Sequence, residues 1–387
     1  MSKNRVSSNI LFLVTIFYWF SLYAYTSYIN PELVKMGVTA SFMGFVAGIY
    51  GFTQLVLRIP VGIASDKWQN KFFICMGCLC ATLAALCMLL FYNPVAFFVG
   101  RALGGIAASA WVSFSVLYAG YFSPEQSTKS MTMINMAVQI GRFLSFVLAG
   151  IIVAQFGAKA AFVIATVGGV IGFVLSIFIK ESEEVDTQPV SVSALLKIAS
   201  NRTLLVTSVL AIFFQAITFA TWFTFTANHA FSIGATPAQL SYINVAILAP
   251  SIAVSLLMGK IILKYIKAEW LVIIGLMFTA LYCAFLPFTE TIRQLYMLQI
   301  LAGVANTFVF SLLMGLCVRD ILPENRGAAM GFYQAMYSIG MVMGPIIMGV
   351  ITDYFSLQMG FHFMSGLSVM LIIAAAIFLT GKKTEQS

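Results

Sequence analysis

Three arginines, Arg58, Arg101 and Arg142, stand inside long apolar runs. A guanidinium at bilayer depth costs about 2.5–3.5 kcal/mol on insertion scales, so such a residue normally faces a cavity, a partner or a passenger. The thirteen Asp and Glu of the chain all fall in loops, tails or the edges of apolar runs. No carboxylate of the protein is therefore expected beside these cations. A carboxylate or phosphate on a transported molecule would supply the missing charge, because a planar, permanently protonated guanidinium offers paired N–H donors to either. The competing reading is that backbone carbonyls, Gln, Tyr hydroxyls and water satisfy each arginine.

The spacing around them is helical. Tyr50, Gln54 and Arg58 recur every four residues, and Asn135, Gln139 and Arg142 also share one helical face. The second half of the chain has no such cation. It offers neutral groups instead: Gln215, Thr218 and Trp222 on one face, then Asn244, Asn306, Tyr333, Gln334 and Tyr337. Near the N-terminus, Tyr18, Trp19, Tyr25 and Tyr28 crowd a single run. Some of these rings are expected to anchor at the membrane interface and others to line a substrate cavity. The expected substrate contacts are Arg142, Arg101, Arg58, Gln54, Gln139, Asn135, Tyr18, Tyr25, Gln215, Trp222, Asn244, Gln334 and Tyr337.

The elements that must position these groups are membrane helices. The sequence is 61% hydrophobic and 9% charged, against about 25% charged in an ordinary soluble domain. Runs of about 20 apolar residues, the length that crosses a bilayer, are predicted at 9–29, 41–64, 72–92, 95–119, 130–153, 160–179, 204–228, 238–259, 270–288, 295–317, 328–353 and 360–380. The fold class is thus all-α and polytopic, with twelve transmembrane helices. With the N-terminus placed inside, fifteen Lys and Arg fall on the inner side and three on the outer. That asymmetry predicts both termini in the cytoplasm and a multi-pass protein of the cytoplasmic membrane. Expected domains are an N-terminal bundle, 1–180, a cytoplasmic linker, 181–202, and a C-terminal bundle, 203–387. The acidic run from Glu181 to Glu184 reads as a solvated part of that linker.

The net charge of +8 is spread over short loops, which fits topology and not nucleic-acid binding. Cys75, Cys78 and Cys80 have metal-like spacing but no His or acid beside them, so packing is the expected role. No metal or cofactor is expected, and no phosphate-binding Gly-x4-Gly-Lys loop is present to use ATP directly.

The two halves match at an offset of 199 residues: Gly104 with Gly303, Pro124-Glu125 with Pro323-Glu324, Gly141 with Gly340 and Gly150 with Gly349. A parallel duplication of six helices suits two pseudo-symmetric bundles around a substrate path, with access alternating as the halves rock. Paired glycines such as Gly44/Gly48, Gly100/Gly104 and Gly168/Gly172 are expected where helices pack closely. Over its whole length the chain resembles the major facilitator superfamily. Gly62, Asp66, Lys67 and Lys71 are similar to that family's loop signature G-x3-D-R/K-x-G-R-K/R, and Arg101 with Gly105 is similar to the R-x-x-x-G element of its twelve-span drug/metabolite:proton antiporters. Ser145-Phe146 stands where those antiporters carry Gly-Pro, and Gly344-Pro345 carries that pair instead. The resemblance implies an inner gate made of Gly62, Asp66, Lys67 and Lys71, with Arg326 as partner of Asp66.

These readings converge on a secondary transporter, not an enzyme: two His near span ends and no embedded acid leave no catalytic constellation. The leading expectation is proton-coupled efflux of a small amphipathic or anionic molecule, such as a drug, a metabolite or a metal-chelating metabolite, by a monomer. The alternatives are a proton-coupled importer of an organic anion and a transporter-like receptor without flux. Asp66, Glu32, Asp353, His229 and His362 are the proton-coupling candidates, unless the passenger carries the proton itself.

Overall fold

Residues 2–122, 126–181, 201–321 and 326–380 are described by a computed structural model. Twelve helices in it are long and apolar enough to cross a membrane: α1 Val6–Lys35, α2 Ala40–Gly62, α3 Asn70–Phe91, α4 Pro94–Gly120, α5 Ser130–Phe156, α6 Lys159–Ile177, α7 Arg202–Ser232, α8 Pro237–Leu257, α9 Ala268–Phe288, α10 Ile292–Leu316, α11 Ala329–Tyr354 and α12 Leu357–Leu379. Most of the linker, 182–200, lies outside the described residues, as do the repeat pair Pro124-Glu125 and Pro323-Glu324.

Local chemistry starts and stops these helices. The Asn93 side chain accepts from the Ala96 N–H at 2.9 Å, and Pro94 takes the first helical position of α4, where its missing N–H costs nothing. Asn201 caps α7 through the Leu204 N–H, and Ser356 caps α12 through the Met359 N–H. Thr291 and Gln294 close a reciprocal capping box at the start of α10. Gly157 (φ 76°) and Gly234 (φ 82°) make turns that a side chain would strain. Tyr92 takes a left-handed conformation (φ 38°) at the end of α3 without being glycine, a strained state that its surroundings must hold.

The chain divides into two compact units. The first comprises Met1–Gly37, Ile49–Pro189 and Thr236–Tyr242; the second comprises Val38–Gly48, Val190–Ala235 and Ile243–Ser387. In the first unit α1 packs on α5 and α6, and α3 packs on α4 and α6. In the second, α7 packs on α11 and α12, and α9 packs on α10 and α12. These are the same partnerships six helices on, as the 199-residue offset requires. The core of the first unit is built on Leu11, Val14, Tyr18, Ile74, Phe114 and Ile134, that of the second on Phe214, Phe225, Leu276, Tyr282, Leu313 and Tyr333. Large apolar side chains such as Phe52, Leu90, Val174, Phe213 and Met370 point outward, the inverse of a soluble surface and suited to lipid.

Matched glycines make matched contacts. A Cβ on Gly141 would stand 3.2 Å from the Ile16 carbonyl carbon of α1, and one on Gly340 would stand 2.8 Å from that of Ile212 on α7. Gly150 presses on the Tyr242 ring, and Gly349 on the Ala40 backbone. The pair Gly104 and Gly303 departs from this pattern. Gly303 meets the Ile247 backbone, but in the first unit Gly105, one residue on, makes the corresponding approach to Tyr50.

Candidate functional site

Gly105 sets up the first cation. Its bare backbone lets α4 lie against α2 at Tyr50 and Thr53, and the Thr53 hydroxyl donates across to the Ala102 carbonyl at 3.0 Å. One turn before Gly105, on the same face, the Arg101 guanidinium lies over the Tyr50 ring, 4.3 Å from its centroid. It also neighbours Tyr25. A cation on an aromatic face away from water gains about 2 kcal/mol, yet the ring occupies only one face of the guanidinium plane. The N–H edge faces away from that ring, with the Tyr25 phenol among its neighbours.

The second cation lies beside a break in α1. Helix Ser2–Tyr23 stops, Ala24 and Tyr25 form a turn, and helix Thr26–Lys35 resumes. Tyr23, at the end of the first segment, lies under Arg142 with 4.5 Å from guanidinium carbon to ring centroid. Tyr25, past the break, stacks on Phe162 at 5.7 Å. Gly141 brings α5 close to α1 immediately before Arg142. Arg142 donates through Nη1 to the Gln139 side chain at 3.5 Å, a long contact, and its Nε is buried without a hydrogen-bond partner.

The third cation, Arg58, is 8% exposed, and its Nε and Nη1 are buried with no partner. Gln54, one turn earlier and 7% exposed, has an unpartnered Oε1. Among the described residues the ion pairs are Lys35–Glu32, Arg319–Glu269 and Arg319–Asp320. None involves Arg58, Arg101 or Arg142. The first unit thus gathers three guanidinium groups, of which two rest on tyrosine rings and none on a carboxylate.

The other expected contacts divide. Tyr18 is enclosed in the core; its hydroxyl donates to the Ala107 carbonyl at 2.5 Å and its ring packs on Phe114. In the described structure Tyr18 serves the packing of its unit, with its hydroxyl proton given to Ala107. Tyr25 is equally enclosed. Asn135 is exposed and donates to the Met131 carbonyl of its own helix. In the second unit, Gln215 accepts from Thr218 at 2.9 Å, and Trp222 meets Phe214 and Tyr282 edge-on within a wide π-turn, Thr221–Phe225. Asn244 and Gln334 are half-buried. Tyr337 packs edge-on against both Tyr333 and Phe310 at 5.6 Å.

Sequence reasoning missed Tyr23 as the ring under Arg142, and it missed two polar knots in the second unit. Thr226, Tyr282 and Gln299 form one. Ser251, Asn306 and Thr307 form the other, with Ser251 and Thr307 hydroxyls 2.8 Å apart. Gln299, a fully buried amide inside an apolar run, was the signal available for the first.

Three of the proton-coupling candidates, Glu32, Asp353 and His229, have hydrogen-bond partners. The Glu32 carboxylate accepts from Lys35 and from the Tyr92 hydroxyl, both at 2.7 Å. Burial, and then that bond, push the Tyr92 phenol well above its ordinary range. Asp353 accepts from the Ala40 and Ser41 N–H groups at the start of α2, both at 2.8 Å. His229 Nε2 lies 2.8 Å from the Thr289 hydroxyl, and the His362 ring lies against Phe288. Of the expected gate, a Cβ on Gly62 would meet only Val112, at 3.8 Å. The side chains of Asp66, Lys67 and Arg326 fall outside what is described. Lys71 takes part through its backbone: the Glu181 carboxylate accepts from the Asn70 and Lys71 N–H groups at 2.9 and 3.1 Å. Glu181 therefore caps α3 and is not a freely solvated linker charge, as helix N–H groups favour an anion there. The six cysteines are free thiols, and Cys75 accepts from Ser176 within the α3–α6 packing.

A model of the Major Facilitator Superfamily matches residues 11–232 and 214–387. The chain belongs to that superfamily. Accordingly, this member of the Major Facilitator Superfamily is a multi-pass membrane transporter and not an enzyme. It is 23% identical to an uncharacterized MFS-type transporter of Methanocaldococcus jannaschii over 87% of this chain and 88% of that one. It is 24% identical to multidrug resistance protein 2 of Bacillus subtilis over 89% of each. Among solved structures, a mutant of the nucleoside transporter NupG aligns with TM-score 0.82 at 14% identity, covering 97% of this chain and 99% of that one. A bacterial homolog of the human lysosomal transporter Spinster aligns with TM-score 0.77 at 14% identity, covering 97% and 96%. At such identities the likeness is one of fold.

Proposed function

We propose that this transporter carries small organic anions, or amphipathic molecules with an anionic group, and exports them from the cytoplasm at the expense of the proton gradient. The observation that carries this reading is the placement of Arg101 and Arg142 on the tyrosine rings of Tyr50 and Tyr23, with no carboxylate of the protein as counterion among the described residues. A ring face lowers the cost of burying the cation without neutralising it. A carboxylate or phosphate in the guanidinium plane then makes charge-assisted bonds, roughly twice as strong as neutral ones. Gln139, bonded to Arg142, adds a neutral polar group that can orient the rest of the passenger.

Export is supported by the R-x-x-x-G element at Arg101 and by the likeness to a protein named for multidrug resistance. In this reading both termini are cytoplasmic, and the excess of Lys and Arg on that side holds the orientation. Because Glu32 and Asp353 are bound by their neighbours, the proton is assigned to the passenger's own acidic group or to Asp66.

Purified protein is screened by thermal shift against organic anions and lipophilic cations, as wild type and as Arg142→Gln. Anions should raise the melting temperature of wild type and raise it markedly less in Arg142→Gln; stabilisation by cations alone overturns the anion reading. In proteoliposomes, efflux should collapse when a protonophore dissipates the gradient. Gradient-driven uptake would mark an importer, and binding without flux a receptor.

A further inference from the structure

We infer that Arg58 and Gln54 form a second oxyanion station, separate from the Arg101–Arg142 pair, on the same helix face of α2. The inference deepens the proposed function, since it rests on the passenger being anionic, and adds that the protein grips negative charge at two depths.

Burial is the first support. A snorkelling arginine carries its tip to the surface, yet Arg58 is enclosed at 8% exposure with Nε and Nη1 both out of contact with solvent and without acceptors. Two unmet N–H groups on a buried cation cost several kcal/mol in principle. Unlike Arg101 and Arg142, Arg58 has no aromatic face beneath it among the described residues. It is the least compensated of the three.

The second support is chemical complementarity. Gln54, one turn away, presents an acceptor that is also buried and also unmet. One unsatisfied acceptor facing the same side as two unsatisfied cationic donors describes a guest that accepts strongly and donates once. A hydroxycarboxylate or a singly protonated phosphate has that pattern. The neighbouring Tyr18 phenol, which donates to Ala107, makes no hydrogen bond to Arg58 Nε or Nη1.

The third support is position. Arg58 follows Tyr50 by eight residues, so along α2 the two stations are offset by about 12 Å at roughly 1.5 Å per residue. Arg101 sits on Tyr50. Backbone positions about two helical turns or more apart set the two stations at different depths. The stations therefore serve either the two ends of an extended dianion or a monoanion at successive points of its path, and the shared chemistry is an oxyanion in both cases.

The test uses full-length protein in detergent, with inorganic phosphate, benzoate and a series of α,ω-dicarboxylates as probes, read by thermal shift and by calorimetric stoichiometry. Wild type should bind phosphate at two sites. Arg142→Gln should keep one of them, and the double variant Arg142→Gln/Arg58→Gln should lose both, with at least a tenfold weakening at each step. A long dicarboxylate that binds wild type once, and at least tenfold more tightly than benzoate, identifies a bridging dianion; equal affinities identify successive stations. If Arg58→Gln does not fold, Gln54→Glu provides the second arm. A carboxylate one turn from Arg58 supplies the counterion internally, so this variant should melt higher than wild type and lose the Arg58-dependent phosphate site while keeping the other. Single-site binding abolished by Arg142→Gln and untouched by Gln54→Glu would overturn the second station and leave the proposed function standing. No response of wild type to any anion would overturn both.

Discussion

Replacing Gly105 with alanine should separate α4 from α2 and loosen Arg101, whereas the same change at Gly104, one residue earlier, should be harmless. A Cβ on Gly105 would stand 3.0 Å from the Tyr50 carbonyl carbon and closer still to its oxygen and to Thr53 Oγ1. Carbon–oxygen contacts of about 3.3 Å or more are normal, and the obstacle is backbone, so the helices must part by roughly 1 Å. Overpacking of that kind costs about 1–3 kcal/mol, offset by about 0.5–1 kcal/mol because alanine suits a helix interior better than glycine. The net expectation is a loss of about 1–2 kcal/mol. A Cβ on Gly104 would lie 3.4 Å from the Tyr25 hydroxyl and 3.6 Å from the Tyr50 ring, which is ordinary contact. Gly104→Ala should therefore be neutral or slightly stabilising. Parting the helices also lifts Arg101 from the Tyr50 ring, now 4.3 Å away. Losing half of a ~2 kcal/mol cation–π contact leaves the guanidinium less well placed and should weaken anion binding about fivefold. Thermal melting and anion titration of the two variants side by side decide the matter. Wild-type behaviour of Gly105→Ala, or equal damage from Gly104→Ala, would refute the reasoning.

Asp353→Ala removes both acceptors at the start of α2; by the usual worth of such caps, stability should fall by about 1–2 kcal/mol, read as a lower melting temperature, with Asp353→Asn recovering part of it. Tyr92→Phe removes the hydroxyl that donates to Glu32; a hydrogen bond to a charged group contributes about 1.5–3 kcal/mol, so the variant should melt lower. Adding Glu32→Gln to Tyr92→Phe should cost less than the sum of the two single changes, because the groups share one bond.

The helices and the three arginines were legible because both contrast with their surroundings: a run of apolar residues announces a span, and a lone cation inside it announces an exception. The rings beneath the cations were harder to read. Tyr50 shares a four-residue register with Gln54 and Arg58, whereas Tyr23 sits in a run crowded with aromatics and lies under Arg142 only because α1 breaks after it. That break carries neither Gly nor Pro at Ala24-Tyr25, so no residue type advertised it. The offset of 199 residues correctly paired Gly141 with Gly340 in contact type, but it could not tell Gly104 from Gly105. Two adjacent glycines differ by 100° around a helix, and only the rotation of α4 selects which one meets α2. Glu181 looked like one acid among several in a charged stretch; its capping of α3 depends on where the end of α6 returns, which local composition does not encode.

The interruption in α1 also gives that helix a place to bend. Tyr23 lies before it and serves Arg142; Tyr25 lies after it and adjoins Arg101. Bending at those two residues would shift one aromatic support relative to the other without breaking the hydrogen-bonded ladder of either segment. On the proposed function, a passenger that tightened one grip would act on the other through a joint two residues long, correlating capture and release within a single strand of backbone.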